Sequence, residues 1–195
     1  MKAALTRQFI IEKTAPLFNM KGFEGTSLSD MEKATNLTKG SIYGNFRDKE
    51  EIASEAFKYS MKKVKALVAS KMEGAVTNKE QLIALLGFYA SYVFEPPIKG
   101  GCPLLNTAIE ADDHRLTMRR VVVKELTNTI DFIATRIEKG ITAKEFKRGT
   151  DSRALAYTFF CAVEGAVIFS RVERSREPMD LVVAHCKNIL EGISI

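Results

Sequence analysis

Helical periodicity runs through almost all of this 195-residue chain, and it constrains the fold more than any other feature. Apolar residues recur at spacings of three and four. No run alternates with a period of two over β-branched residues, and no Asn-Gly pair marks a hairpin. The start and stop signals divide the chain into helices. The first runs from about residue 4 to 20, with Leu5, Phe9, Ile10, Leu17 and Phe18 at mostly helical intervals. Pro16 is awkward inside it because proline removes a donor, and Gly22 closes it. Ser27 caps a short second helix, with Asp30 three positions on in an imperfect capping box. Leu28, Met31 and Ala34 form its inner face, and Asn36 breaks it, since Asn tolerates the left-handed conformation. Thr38 caps a third short helix that carries Ile42 and Phe46 inward. Asp48 caps a long fourth helix reaching about residue 71, with Glu50 and Glu51 in its first turn where the dipole favours acids. Residues 74–78 read as a junction. Helices follow at 79–94, 103–111, 114–139, 151–173 and 178–191, with a turn at 95–101 and a connector at 140–150. The expected fold class is all-α.

Composition fits a chain that buries its own core: 46% of residues are hydrophobic and 27% charged, and the length needs no covalent staples. The longest mostly apolar stretch, 154–169, is interrupted by Glu164 and is short for a bilayer span, so no membrane association is expected. The N-terminus lacks the apolar core and cleavage site of a secretory signal. Cys102, Cys161 and Cys186 are odd in number and far apart, with no CxxC pair, which argues against a disulfide framework or a cysteine zinc site and for a reducing cytoplasm. The charge is one-sided. Residues 1–71 hold 13 Lys and Arg against 8 Asp and Glu, whereas the remainder holds 16 of each, so the whole net charge of +5 lies at the front. A basic front joined to a neutral body suggests contact with a polyanion.

The segment 22–52, GFEGTSLSDMEKATNLTKGSIYGNFRDKEEI, is the most informative. Two short helices around a tight turn, followed by an aromatic anchor, are what a helix-turn-helix needs. Its second helix must be short, polar and small at the exposed start to enter a major groove. Lys39, Gly40, Ser41 and Gly44, on the helix that Thr38 caps, supply that surface. Lys39 and Ser41 are expected at base edges, and Gly44 permits close approach. Tyr43 can give its hydroxyl to a phosphate while its ring packs. Thr26, Ser27, Asn45 and Lys49 complete the phosphate set, although Thr26 and Ser27 can also serve only as helix caps.

These residues resemble those of the TetR-like transcriptional regulators over about residues 10–52. The elements are Ile10-Ile11, Leu17-Phe18, Gly22-Phe23, Thr26-Ser27-Leu28, Ala34, the run Leu37-Thr38-Lys39-Gly40-Ser41-Ile42-Tyr43, Phe46 and Lys49-Glu50. Asn36 and Asn45 stand where the family usually has Gly and His. The resemblance implies an all-helical homodimer of about nine helices. A DNA-binding head over 1–48 would precede a ligand-binding and dimerisation body over 49–195, linked by the helix at 49–71. The last two helices, 151–191, would pair across the dimer. Such proteins bind double-stranded DNA at a palindromic operator, and many repress transcription until a small-molecule inducer changes the spacing of the two heads. Two recognition helices must match half-sites about 34–36 Å apart or a multiple of it, so a small pivot prevents simultaneous docking. Activation instead of repression, and a relative that has lost operator binding, stay open.

The body is less legible. Phe88, Tyr92, Phe132 and Phe159 can line an apolar ligand pocket or simply fill the core. Cys102 and Leu105 lie in Gly101-Cys102-Pro103-Leu104-Leu105-Asn106-Thr107, which resembles a segment in one branch of these regulators. A cysteine at a helix start can have a lowered pKa, which makes Cys102 a candidate sensor. Glu164 can orient a polar ligand or face a dimer partner. Glu110, Asp112, Asp113 and His114 cluster, but the following helix start explains the acids better than a metal does. No cofactor and no metal are expected. No P-loop, GxSxG, HExxH or Rossmann glycine pattern occurs, so no enzyme is expected.

Overall fold

A computed structural model describes residues 2–195. Among these residues the chain is all-α, with nine helices: α1 (Lys2–Gly25), α2 (Leu28–Thr35), α3 (Lys39–Tyr43), α4 (Lys49–Lys71), α5 (Asn78–Tyr92), α6 (Pro103–Ala111), α7 (Leu116–Thr142), α8 (Ser152–Glu173) and α9 (Glu177–Ile193). The residues form two compact units. Among the described residues the first comprises 2–65 and 97–122, the second 66–96 and 123–195. The division expected after residue 48 separates roles, whereas compactness places α6 and the start of α7 with the front of the chain.

In the first unit, Ile10, Ile11, Met31, Ile42, Phe46 and Ile52 form the buried cluster, with Phe18, Leu28, Leu37, Tyr43 and Tyr59 packed on it. Most of these positions lie on α1 to α4, where helical spacing turns them inward, whereas α3 stops before Phe46, Leu37 and Phe46 sit in the turns, and Leu5 and Phe9 of the first helix are exposed. Pro16 sits within α1, and regular helix is interrupted at Gly22, where φ is 73°. α1 packs on α2 and on α6.

In the second unit α9 packs on both α8 and α5. Thr77 and Glu80 form a full capping box at the start of α5, a Thr-x-x-Glu signal whose threonine lies inside the expected junction. α7 runs three residues past the expected stop at 139. Gly140 is part of it, and the Phe146 ring lies where a side chain at 140 would stand. The connector is therefore not a simple surface loop. Phe146 is fully buried, and the strand-like bridge of Phe146 with Ser194 ties the connector to the end of α9. α8 also departs from expectation. Its extent matches the helix expected at 151–173, but by length and composition it is long and apolar enough to cross a membrane, where the apolar stretch 154–169 is expected to fall short. Its inner side, including Ala156, Phe159, Val163 and Val167, is buried in the way of a core helix. Cys186 is buried and its thiol is pushed up by desolvation. Cys161 is exposed.

Candidate nucleic-acid interface

The geometry of the reading surface starts with its caps. Ser27 Oγ accepts from the Asp30 N–H at 3.1 Å, while the Asp30 carboxylate accepts from the Ser27 N–H at 2.9 Å, so the capping box closes with Asp in place of Glu. The Lys21 ammonium, 2.6 Å from Asp30 Oδ1, and the Ser27 donors hold that carboxyl well below the usual carboxylate range. Asn36 ends α2 in the left-handed conformation, with φ 55° and ψ 32°. Thr38 Oγ1 then accepts from the Ser41 N–H at 3.3 Å and opens α3. The Lys39 N–H, free within α3, donates to Glu32 Oε1 at 2.8 Å, which fixes α3 against α2.

On this frame Thr38, Lys39, Gly40, Ser41 and Gly44 are exposed, Tyr43 is half-buried, and Ile42 is fully buried between them. A five-residue helix thus has one anchor inward and a row of small or basic positions outward, which is the shape a major groove admits. Glycine at 44 matters because a Cβ there would press on the Gly40 carbonyl at 2.9 Å.

The expected phosphate residues divide. Ser27 is exposed. Thr26 is fully buried, and its hydroxyl donates to the Gly22 carbonyl at 2.6 Å, so its side chain secures the turn and does not face a phosphate. Asn45 spends one amide hydrogen on the Ser41 carbonyl at 2.8 Å, which closes the end of α3. Lys49 places its ammonium 4.3 Å from the centre of the Phe23 ring, a cation–π contact that aligns the side chain.

Contacts not expected from sequence also build the site. Arg7 donates to the Asn45 carbonyl at 2.7 Å, pairs with Glu51 at 2.7 Å, and lies over the Phe46 ring at 4.1 Å. Glu51 also accepts from the Arg47 N–H at 2.8 Å. That backbone donor and Arg7 hold the Glu51 carboxyl below its ordinary range. The Arg47 side chain does the same for Asp48, which caps α4 by accepting from the Glu51 N–H at 2.8 Å. Arg7 bridges 38 residues to Asn45, and no local sequence signal marks such a contact.

The ligand candidates do not share a unit. Cys102 and Leu105 fold with the first, where Cys102 is buried at the start of α6. Phe88, Tyr92, Phe132, Phe159 and Glu164 fold with the second. There Leu82, Leu85, Leu86, Tyr89, Ile133, Phe159, Phe160 and Val163 line a shallow apolar recess, partly open to solvent and closely filled by their own side chains. Phe88 and Tyr92 are buried with ring centres 5.1 Å apart. The Arg136 guanidinium lies 3.4 Å from the centre of the Phe132 ring, and burial pushes its pKa down. Glu164 is buried on α8. Among the described residues, no group of three His, Cys, Asp or Glu side chains is placed to hold a metal ion.

Comparison with known proteins agrees with this geometry. Residues 10–56 match the bacterial regulatory proteins of the tetR family, and residues 78–186 match the tetracyclin repressor-like C-terminal domain. A crystal structure of a TetR-family transcriptional regulator from Cytophaga hutchinsonii is 42% identical, with a TM-score of 0.93, and the match covers 100% of this chain and 98% of that one. The HTH-type transcriptional repressor DhaR of Mycobacterium sp. (strain GP1) is 23% identical over 174 residues, which is 89% of this chain and 86% of that protein. The fold is also that of the TetR-family regulator CifR, solved as a cysteine mutant with 26-bp operator DNA. That chain is 20% identical, with a TM-score of 0.83 and coverage of 93% here and 94% there. Two matching domains in the expected order, over a helix-turn-helix whose caps and anchor are in place, identify a DNA-binding transcriptional regulator. The chain belongs to the tetR family of bacterial regulatory proteins.

Proposed function

We propose that the chain acts as a homodimeric cytoplasmic repressor, docked on a palindromic operator through two copies of α3 and released when a small molecule binds the second unit. The observation that carries the reading is the division of α3: Lys39, Gly40 and Ser41 exposed, Ile42 fully buried. Lys39 and Ser41 read base edges, and Gly40 and Gly44 allow close approach. Ser27, Thr38, Tyr43, Asn45 and Lys49 hold phosphates. Dimerisation through residues 151–191 is supported by an apolar outer surface, with Tyr157, Cys161, Ile168, Phe169 and Val172 exposed on α8 and Leu181 on α9. Ligand binding by the second unit is supported by the match of residues 78–186 to the tetracyclin repressor-like C-terminal domain, and the apolar side chains there, Phe159 and Tyr89 among them, suit an apolar effector that parts them on entry. CifR bound to operator DNA shows that this fold can dock on a duplex.

The test is selection of bound fragments from a genomic DNA pool by the purified protein, at one fixed salt concentration because phosphate contacts make affinity steeply salt-dependent. Enrichment of a palindromic site is the expected outcome. Enrichment of nothing above random fragments would leave a protein of this fold that does not bind an operator.

A further inference from the structure

Glu110 lies one residue before the end of α6, a helix with no basic residue in its last turn. A carboxylate is poorly placed there, because the free carbonyls of a helix end are themselves negative. Its partner is elsewhere. Both carboxylate oxygens stand 2.9 Å from the backbone N–H of Phe23, 87 residues earlier. The contact needs glycine at 22. That residue has φ 73°, and a Cβ on it would overlap the Glu110 carboxylate. The peptide held in this way is the turn that delivers the chain to α2. The Gly22 carbonyl accepts the buried Thr26 hydroxyl, the Thr26 N–H returns to the Phe23 carbonyl at 3.3 Å, and the next residue, Ser27, caps α2.

The Phe23 ring is fixed from the same region. The Arg115 guanidinium lies 3.8 Å from its centre, bonds Glu50 at 2.9 Å and stands 4.0 Å from Glu110. The ring in turn holds Lys49. One helical turn before Glu110, the Asn106 amide donates to the Asn19 backbone carbonyl and side chain at 3.0 Å. The Asn19 amide donates to the carbonyls of Lys99 and Gly101 at 2.9 Å. α6 and its flanks therefore grip the end of α1 and the turn after it.

We infer that Glu110 is a positioning residue for DNA recognition, setting the Gly22–Phe23 turn and through it the placement of α2 and of the Lys49 ammonium. On this view α6 belongs to the DNA-reading machinery although it lies far beyond the helix-turn-helix in sequence. The inference rests on the operator binding proposed above. Its sign separates it from a simple charge effect. Removing an acid from a DNA-binding unit strengthens attraction to phosphates in general, whereas loss of a positioning contact weakens recognition of one sequence.

The test uses the full chain, the duplex recovered by selection and a random-sequence duplex of equal length at the same salt. Glu110→Ala is expected to weaken the selected duplex by about tenfold, the scale of a lost hydrogen bond to a charged group. Binding to the random duplex should stay level or tighten. Glu110→Gln, which keeps an acceptor oxygen, should recover part of the loss and carries the test if the alanine variant does not fold. Gly22→Ala should cost far more in the wild-type background than in Glu110→Ala, where the overlapping carboxylate is gone. Unchanged affinity of Glu110→Ala for the selected duplex would overturn the inference. So would an equal loss on both duplexes accompanied by a fall in melting temperature, which marks general destabilisation, and so would strict additivity with Gly22→Ala. If wild-type protein recovers no duplex at all, the operator reading fails and this inference falls with it.

Discussion

Ile42 and Tyr43 are neighbours on a five-residue helix, yet their side chains do opposite work. Ile42 is fully buried among Ile10, Met31 and Phe46, so Ile42→Ala should remove about 2–5 kcal/mol of stability. A lowered thermal midpoint would register it. Tyr43 packs its ring on the same cluster but stays half-buried. Tyr43→Phe keeps the ring and deletes only the hydroxyl. The expected result is a melting temperature close to wild type and a loss of roughly 0.5–1.5 kcal/mol in operator binding, the usual worth of one hydrogen bond. Equilibrium titration by fluorescence anisotropy measures it, and an unchanged Kd would remove Tyr43 from the phosphate set. At this scale the sequence was legible wherever a residue's role is local. Ser27, Asn36 and Thr38 act on groups within a few positions of themselves. Thr26 was not legible, because a threonine before a helix reads equally as a cap or a phosphate donor. Its burial and its donation to the Gly22 carbonyl give it a third role, holding the turn, while Ser27 caps α2.

At the scale of elements, the first unit is pinned by carboxylates whose protons are held off. Asp30 is lowered first by Lys21 and then by Ser27, Asp48 by Arg47 and by the Glu51 N–H, and Glu51 by the Arg47 N–H and then Arg7. Each folded value lies below the ordinary 3.8 of Asp or 4.5 of Glu. The stabilisation is therefore complete above those values and is lost as pH falls through the lowered ones. Acid should loosen α2 and the start of α4 below about pH 4, seen as faster amide exchange there. Lys21→Met removes the largest cause at Asp30, so it should move the acid transition of α2 to higher pH. Ser27→Ala should cost about 1 kcal/mol at neutral pH through the lost cap. An acid transition unmoved by Lys21→Met would show that the pair contributes nothing. Cap chemistry of this kind is visible in a sequence because it spans three or four residues. The grip of α6 on the Gly22–Phe23 turn is not visible there, since periodicity gives the buried face of α6 but not the helix that covers it. The connector at 140–150 shows the same limit. Its polar composition reads as a loop, while Phe146 alone carries it into the core beside Gly140.

At the scale of the whole molecule, α8 and α9 leave an outer side uncovered within one chain. Exposed positions at 154, 157, 158, 161, 168, 169 and 172 on α8 recur at helical spacing, and Leu181, Ala184 and Asn188 are exposed on α9. A stripe of this kind, on a protein proposed to read a palindrome, suits a two-fold partner, since an isologous contact uses the same face on both copies. Cys161 lies within the stripe and is exposed, so Cys161→Arg should leave the protomer folded and place two like charges near each other wherever two stripes meet. Sedimentation equilibrium should then give a monomer with a wild-type circular dichroism spectrum. DNA binding should change in a way that follows from linkage between the heads. A dimer converts the second half-site contact into an intramolecular step, and severing it forfeits an advantage of about 10²–10⁴ in apparent affinity. The monomer should therefore lose the full palindrome by that factor while binding a single half-site as wild type does. A variant that remains dimeric places the partner contact elsewhere. A variant that becomes monomeric yet keeps full affinity for the palindrome would show that each head docks without help from the other, and the account of repression by paired recognition helices would not stand.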